Sequence, residues 1–187
     1  MKRDFGVKTW LIPMPVLILG SYDENGEADA MNAAWGGIYD TNMVTISLGS
    51  HVSTDNIRKS KAFTVAFATK KTVTASDYVG IVSKAKDPDK MKKSGLTIKK
   101  SEHVNAPYFE EYPVTLECKV VSLDGEKGEG GILIGEIVNI LVDKSVLTDD
   151  KIDFKKLEPI VFDTVNLTYN VVGEVVANAF REGIKLK

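Results

Sequence analysis

Apolar residues along this chain recur in short runs and not on a long helical period. "PVLILGSY" (15–22), "MVTISLG" (43–49) and "AFTVAFA" (62–68) are rich in aliphatic or β-branched residues and stop at turn or polar residues, which predicts strands. The first is followed by "DENG", a hairpin signal. "YPVTLECKVVSL" (112–123) and "GILIGEIVNILV" (131–142) flank the glycine-rich "DGEKGEGG", predicting two long hairpin arms. Helical signals are fewer. "STDNIRKSKAF" offers Ser53 or Thr54 as N-cap, Asp55 in the first turn and bases in the last. "TVTASDYVGIVS" (72–83) reads as a short helix. "DPDKMKKSG" (87–95) has Asp87 as cap, Pro88 at the first helical position and Gly95 as stop. After about residue 143 the pattern weakens to turns and one short strand. A shortage of long amphipathic helices argues against a doubly wound parallel sheet. The expected fold is mainly β, an antiparallel or mixed barrel with peripheral helices.

The length of 187 residues predicts a single domain over 1–187, with 166–187 as a C-terminal tail. A net charge of −2 argues against nucleic acid as a partner, because phosphate neutralisation needs a basic face. Near the N-terminus, Asp4 and Lys8 interrupt the apolar run and Pro13 and Pro15 break any helix. No stretch approaches the ~20 apolar residues of a membrane span, so the reading is cytoplasmic with no membrane partner. The one cysteine, Cys118, lies in an alternating strand and is expected to be a buried structural thiol. His51 and His103 are too far apart for a metal motif, and no metal site is expected.

Three stretches bear on chemistry. In "SLGSHVSTDNIRKS" (47–60) a strand ends, a Gly/Ser turn follows and a helix begins. The unpaired N–H groups of a helix start favour an anion, and Ser50, Ser53, Thr54 and protonated His51 could add donors. Ordinary capping explains the same residues. "KAKDPDKMKKSG" carries five lysines, either a solvated face or a source of one ammonium group for a phosphate. "MNAAWGG" (31–37) surrounds Trp35 with small residues, permitting close approach by something flat, or else marking a bulged strand under a helix. "GEKGEGG" lacks the GK[ST] ending of a P-loop, and no G-x-G-x-x-G opens a helix.

In order and spacing, "PVLILGSYDENG", "DAMNAAW", "STDNI", "DKMKKSGL", "APYFEEYPVTLECKV" and "LEPIVFD" resemble the flavin reductase-like, FMN-binding split-barrel family, especially its flavoredoxin-type branch. The resemblance runs from Pro15 to the tail. It implies a six-stranded antiparallel Greek-key split barrel with flanking helices, and a homodimer with FMN near the interface. Carried over by resemblance, Asn32, Ala33 and Ala34 would lie along the polar edge of the flavin ring and Trp35 would wall it. Ser50, His51, Ser53 and Thr54 would surround the phosphate, Lys90 of "DKM" would bind it, and Phe162 of "IVFD" would lie near the flavin. The chain departs from the family pattern at Asp29, where flavoredoxin-like sequences often have Asn, and at His51, often Arg or Lys.

The implied activity is an oxidoreductase in which bound FMN accepts hydride from NADH or NADPH and passes electrons to a flavin or protein acceptor. Hydride transfer itself requires no side-chain acid or base, so no catalytic residue is assigned. Two alternatives remain open. One is an FMN-containing electron carrier that does not react directly with a nicotinamide; the other is a non-catalytic flavin-binding module.

Overall fold

The computed structural model describes residues 1–187. After the two-residue β1 (Met14–Pro15), β2 (Leu17–Tyr22) and β3 (Ala28–Ala33) form a hairpin across the "DENG" turn, and β4 (Gly36–Asp40) with β5 (Met43–Leu48) form a second. Helix α1 (Val52–Ser60) leads into β6 (Ala62–Phe67), followed by α2 (Val73–Ile81) and α3 (Lys90–Ser94). The short ladder of β7 (Ile98–Lys100) and β8 (Pro107–Phe109) precedes the long arms β9 (Val114–Leu123) and β10 (Gly131–Val142). The remainder holds β11 (Leu147–Thr148), β12 (Lys151–Ile152), α4 (Phe154–Leu157), β13 (Ile160–Asp163) and β14 (Thr168–Val171).

The main sheet has the strand order β3-β2-β6-β9-β10-β5-β4, and every neighbouring pair is antiparallel. It curls into a half-barrel. Leu19, Met31, Ile46, Phe63, Leu116 and Leu133, drawn from six of its strands, meet in one interior cluster. Two register shifts in β10 against β9 help it bend, since bulges sharpen strand curvature. The outer face of β2, β3 and β6 is buried as well. There Ile18, Ala30 and Ala66 pack with Val79 of α2, Met91 of α3, Phe109 of β8 and Ile160 of β13. Burial on both faces explains why "LILGSY" reads as a near-continuous apolar run and does not alternate.

The sheet has seven strands, one more than the six implied by resemblance. The added edge strand is β4, "GGIYD", almost all of it exposed, so it carries no apolar alternation to detect. Its first residue explains part of the small-residue run. A Cβ on Gly36 would come within 3.0 Å of Leu17 Cδ1 and 3.1 Å of Ile46 Cγ1, so a larger residue would force the barrel wall apart.

The helices differ from expectation at their starts. Helix α1 begins at Val52 with His51 in the capping position, and the His51 side chain makes no capping hydrogen bond. Ser53 and Thr54, expected as caps, lie inside the helix because their hydroxyls are committed elsewhere, to Asp29 Oδ2 and to the Gly49 carbonyl. Helix α3 starts at Lys90 and not at Pro88, because the Asp87 carboxylate turns back onto the Asp89 N–H. Beyond residue 143 four short strands replace the one expected, each too brief to carry a hydrophobic period. Cys118 is buried; burial, and then the neighbouring Glu117 charge, push its thiol up to about 12. No helix is long and apolar enough to cross a membrane.

Candidate functional site

Beside the β2–β3 hairpin, outside the barrel, two cavities adjoin. The first, about 190 Å³, lies between β3, the start of α1, the end of α2 and the start of α3. Asp29, Asn32, His51, Ser53, Lys84 and Lys90 supply its polar lining. The second, about 250 Å³, is bounded by Val16, Ala34, Asp77, Phe162 and Tyr169. Asn32, Gly80 and Ile81 line both, so they form a waist between a charged end and a more apolar, ring-bearing end.

The waist depends on a glycine. A Cβ on Gly80 would sit 2.9 Å from the Asn32 Cβ, so any side chain there would press into Asn32. Asn32 is held from the helix side, its Nδ2 donating to the Ser76 carbonyl at 3.1 Å. At the ring end the Tyr169 hydroxyl donates to Asp77 Oδ1 at 2.8 Å. Burial, and then that hydrogen bond and the Asp77 charge, push the Tyr169 hydroxyl up to about 12. Its ring leans on Phe162 with centroids 5.8 Å apart.

The charged end is tightly ordered. Lys90 Nζ donates to Asp29 Oδ1 at 3.0 Å and to the Ala30 carbonyl at 2.5 Å, with the two side chains only 3% and 1% exposed. Ser53 Oγ donates to the other Asp29 oxygen at 2.6 Å. Lys84 Nζ reaches Asp23 Oδ2 at 3.2 Å, Glu27 Oε2 at 3.3 Å and the Ala28 carbonyl at 3.2 Å. Burial tends to raise the Asp23 carboxyl, but the Glu27 and Asn25 N–H groups and Lys84 together hold it below its ordinary value.

Of the residues singled out from sequence, Asn32, His51, Ser53 and Lys90 line the charged end, and Asn32, Ala34 and Phe162 the ring end. The other four lie outside both linings. Ala33 faces the barrel interior. Thr54 is buried, its hydroxyl donating to the Gly49 carbonyl at 2.9 Å. Ser50 Oγ donates to the Gly128 carbonyl at 2.5 Å, part of a clip between α1 and the glycine-rich hairpin. The same clip includes Gly128 N–H donating to both Asp55 oxygens, and Arg58 donating to the carbonyls of Asp124 and Glu129. Trp35 is 57% exposed, between β3 and β4, and so is not a core residue of the isolated chain.

Sequence reasoning missed Lys84, Asp77, Gly80 and Tyr169. Gly80 did leave a signal: a glycine inside a helix costs about 1 kcal/mol relative to alanine, which suggests a close approach. Asp77, three residues earlier, shares its helix face.

The arrangement suits an elongated ligand with an anionic or hydroxylated end and a flat end. A model of the flavin reductase-like domain matches residues 9–167. The flavoredoxin of Desulfovibrio vulgaris (Miyazaki F) is 35% identical, with 98% of this chain and 100% of that one covered at a TM-score of 0.90. The flavoredoxin from Methanosarcina acetivorans is 27% identical over the whole of both chains, at a TM-score of 0.89. Component B of nitrilotriacetate monooxygenase from Bacillus cereus shares the fold at 19% identity and a TM-score of 0.78, with 90% of this chain and 89% of that one covered. No curated protein matches the chain in sequence. A family match over most of its length, a curled antiparallel sheet and the flavoredoxin likeness agree: this chain belongs to the flavin reductase-like family, in its flavoredoxin branch.

Proposed function

We propose that the joined cavities hold FMN and that the protein is an NAD(P)H-dependent oxidoreductase passing electrons to a flavin or protein acceptor. The observation that carries this reading is the waist at Asn32, Gly80 and Ile81, which joins a charged end to a ring end in a member of this family. Bound FMN would supply the hydride and electron chemistry. The protein's part is to bind and orient. Ser53, His51 and the lysines border the end where a ribityl phosphate would lie, and Ala34, Phe162 and Tyr169 border the end for the ring. Asn32, tethered to α2, presents a fixed polar group between them.

A homodimer with the flavin near its interface belongs to the same reading. Trp35, Ile38, Tyr39 and Ile81 expose large apolar side chains. Exposed apolar side chains of this size favour cover by a second copy. A cytoplasmic location fits the reduced Cys118.

The absorbance spectrum of the protein, before and after adding FMN, tests the first step. A flavin spectrum with saturable binding is expected, and a colourless protein that binds no added FMN overturns the proposal. Rapid mixing with NADH and NADPH then separates the reductase from the electron carrier, because a carrier leaves its flavin oxidised.

A further inference from the structure

Two of the donors that the resemblance assigns to a phosphate, Ser53 and Lys90, are already occupied by a carboxylate of the chain itself. Asp29 accepts from Ser53 Oγ through one oxygen and from Lys90 Nζ through the other, while nearly fully buried at the edge of the cavity. The second ammonium of this end, Lys84, is matched in the same way by Asp23 and Glu27. Two lysines therefore face three carboxylates, all three on or beside the β2–β3 hairpin, and this end of the cavity has no surplus positive charge from its lysines. A phosphate entering it would meet the Asp29 charge at short range, in surroundings where screening is weak.

We propose that Asp29 is a resident anion that sets cofactor selectivity. It occupies Ser53 and Lys90, cancels the attraction for a phosphate, and leaves the site with little preference for FMN over riboflavin. The inference rests on the flavin reading above, and it concerns which flavin the site accepts. Asp29 acts through Lys90 and Ser53, so it is a specificity-determining residue and not a catalytic one. Its carboxylate also keeps the Lys90 ammonium paired where otherwise a buried cation would stand alone.

The test compares the wild type with Asp29→Asn and with the double variant Asp29→Asn/Lys90→Gln. Each is titrated with FMN and with riboflavin by flavin fluorescence, and melted with and without inorganic phosphate. Wild type is expected to bind the two flavins within about tenfold of each other. Asp29→Asn should raise the FMN-to-riboflavin affinity ratio by about tenfold or more, and should gain a phosphate-dependent rise in Tm that the wild type lacks. The double variant, with the pair uncharged, should return to the wild-type ratio within about threefold. It also decides the matter should the single variant not fold. A ratio unchanged or lowered in Asp29→Asn overturns the proposal. So does a double variant that loses FMN by about tenfold while keeping riboflavin, since Lys90 would then hold phosphate despite Asp29. If no variant binds either flavin, the flavin reading falls, while the melts with inorganic phosphate still decide the role of Asp29.

Discussion

Asp29 and Glu117 are both carboxylates buried within the same sheet, yet their surroundings differ in kind. Asp29 has an ammonium and a hydroxyl as partners, and all three groups border a cavity. Glu117, in β9, makes no ion pair with a lysine. It accepts from the Ser101 hydroxyl, from the Asn139 amide and at 2.7 Å from His103 Nδ1, and these partners border neither of the joined cavities. Ser101 also accepts from the Val104 N–H at 3.2 Å, so Glu117 fastens the 101–104 turn to the long hairpin. Burial tends to raise the Glu117 carboxyl, but the hydrogen bonds from Ser101, Asn139 and His103 outweigh it and hold it below its ordinary value. The contrast separates two uses of a buried charge. Glu117 is satisfied by neutral donors and a histidine that border neither cavity. The partners of Asp29 are those another anion would seek.

The largest effect is expected at Lys90. Lys90→Met strands the Asp29 carboxylate and should destabilise the protein by about 3–5 kcal/mol in denaturant unfolding. Adding Asp29→Leu to it should recover most of the loss, since two apolar groups can replace a buried ion pair at little cost. No recovery would mean that Asp29 has a structural task as fixed as that of Glu117.

A smaller effect is expected from Glu117→Gln, about 1–3 kcal/mol at neutral pH, because donors built for a carboxylate lose it. The folded carboxyl lies below its unfolded value, so its stabilisation is present above the unfolded pKa of about 4.3 and is lost as pH falls through the folded value. Wild type and variant should therefore converge in stability in acid. A constant difference down to about pH 2 would assign the effect to packing and not to charge.

The smallest effect concerns a third carboxylate, Asp77, whose partner is the Tyr169 hydroxyl. The folded hydroxyl, pushed up to about 12, stays protonated where an unfolded tyrosine ionises near 10. Its contribution is complete below about pH 10 and declines as pH rises from there towards about 12. Tyr169→Phe should lower Tm slightly at pH 8, with the gap narrowing above pH 10; parallel melting curves through that range would show the pair contributes nothing through its proton.

Much of the fold was legible because burial leaves a local imprint. β2, β6, β9 and β10 fill the core and announce themselves as apolar runs. β4 does not, since an exposed edge strand has no buried face to pattern. Helix α1 was legible as a helix but not in its first residue, because tertiary partners took the hydroxyls that local rules assign to caps. At the site, Ser53 and Lys90 could be selected by residue type and neighbourhood. That both converge on Asp29 could not, because Lys90 is 61 positions from it and only the packing of α3 on β3 brings them together. Tyr169 was lost for a similar reason: it lies in a stretch that reads as tail and becomes part of a cavity only when β14 pairs with β13.

The clip between α1 and the glycine-rich hairpin gives this site an adjustable mounting. Ser50, Asp55 and Arg58 grip the backbone of a surface turn at Gly128 and its neighbours, so the seat of the helix start depends on a loop that never touches the cavity. Surface turns accept insertions and deletions readily. A change of one or two residues in that turn would move Ser53 and His51 relative to Lys90 while every lining residue stayed the same. Relatives with identical linings could thus diverge in ligand preference through hairpin length alone.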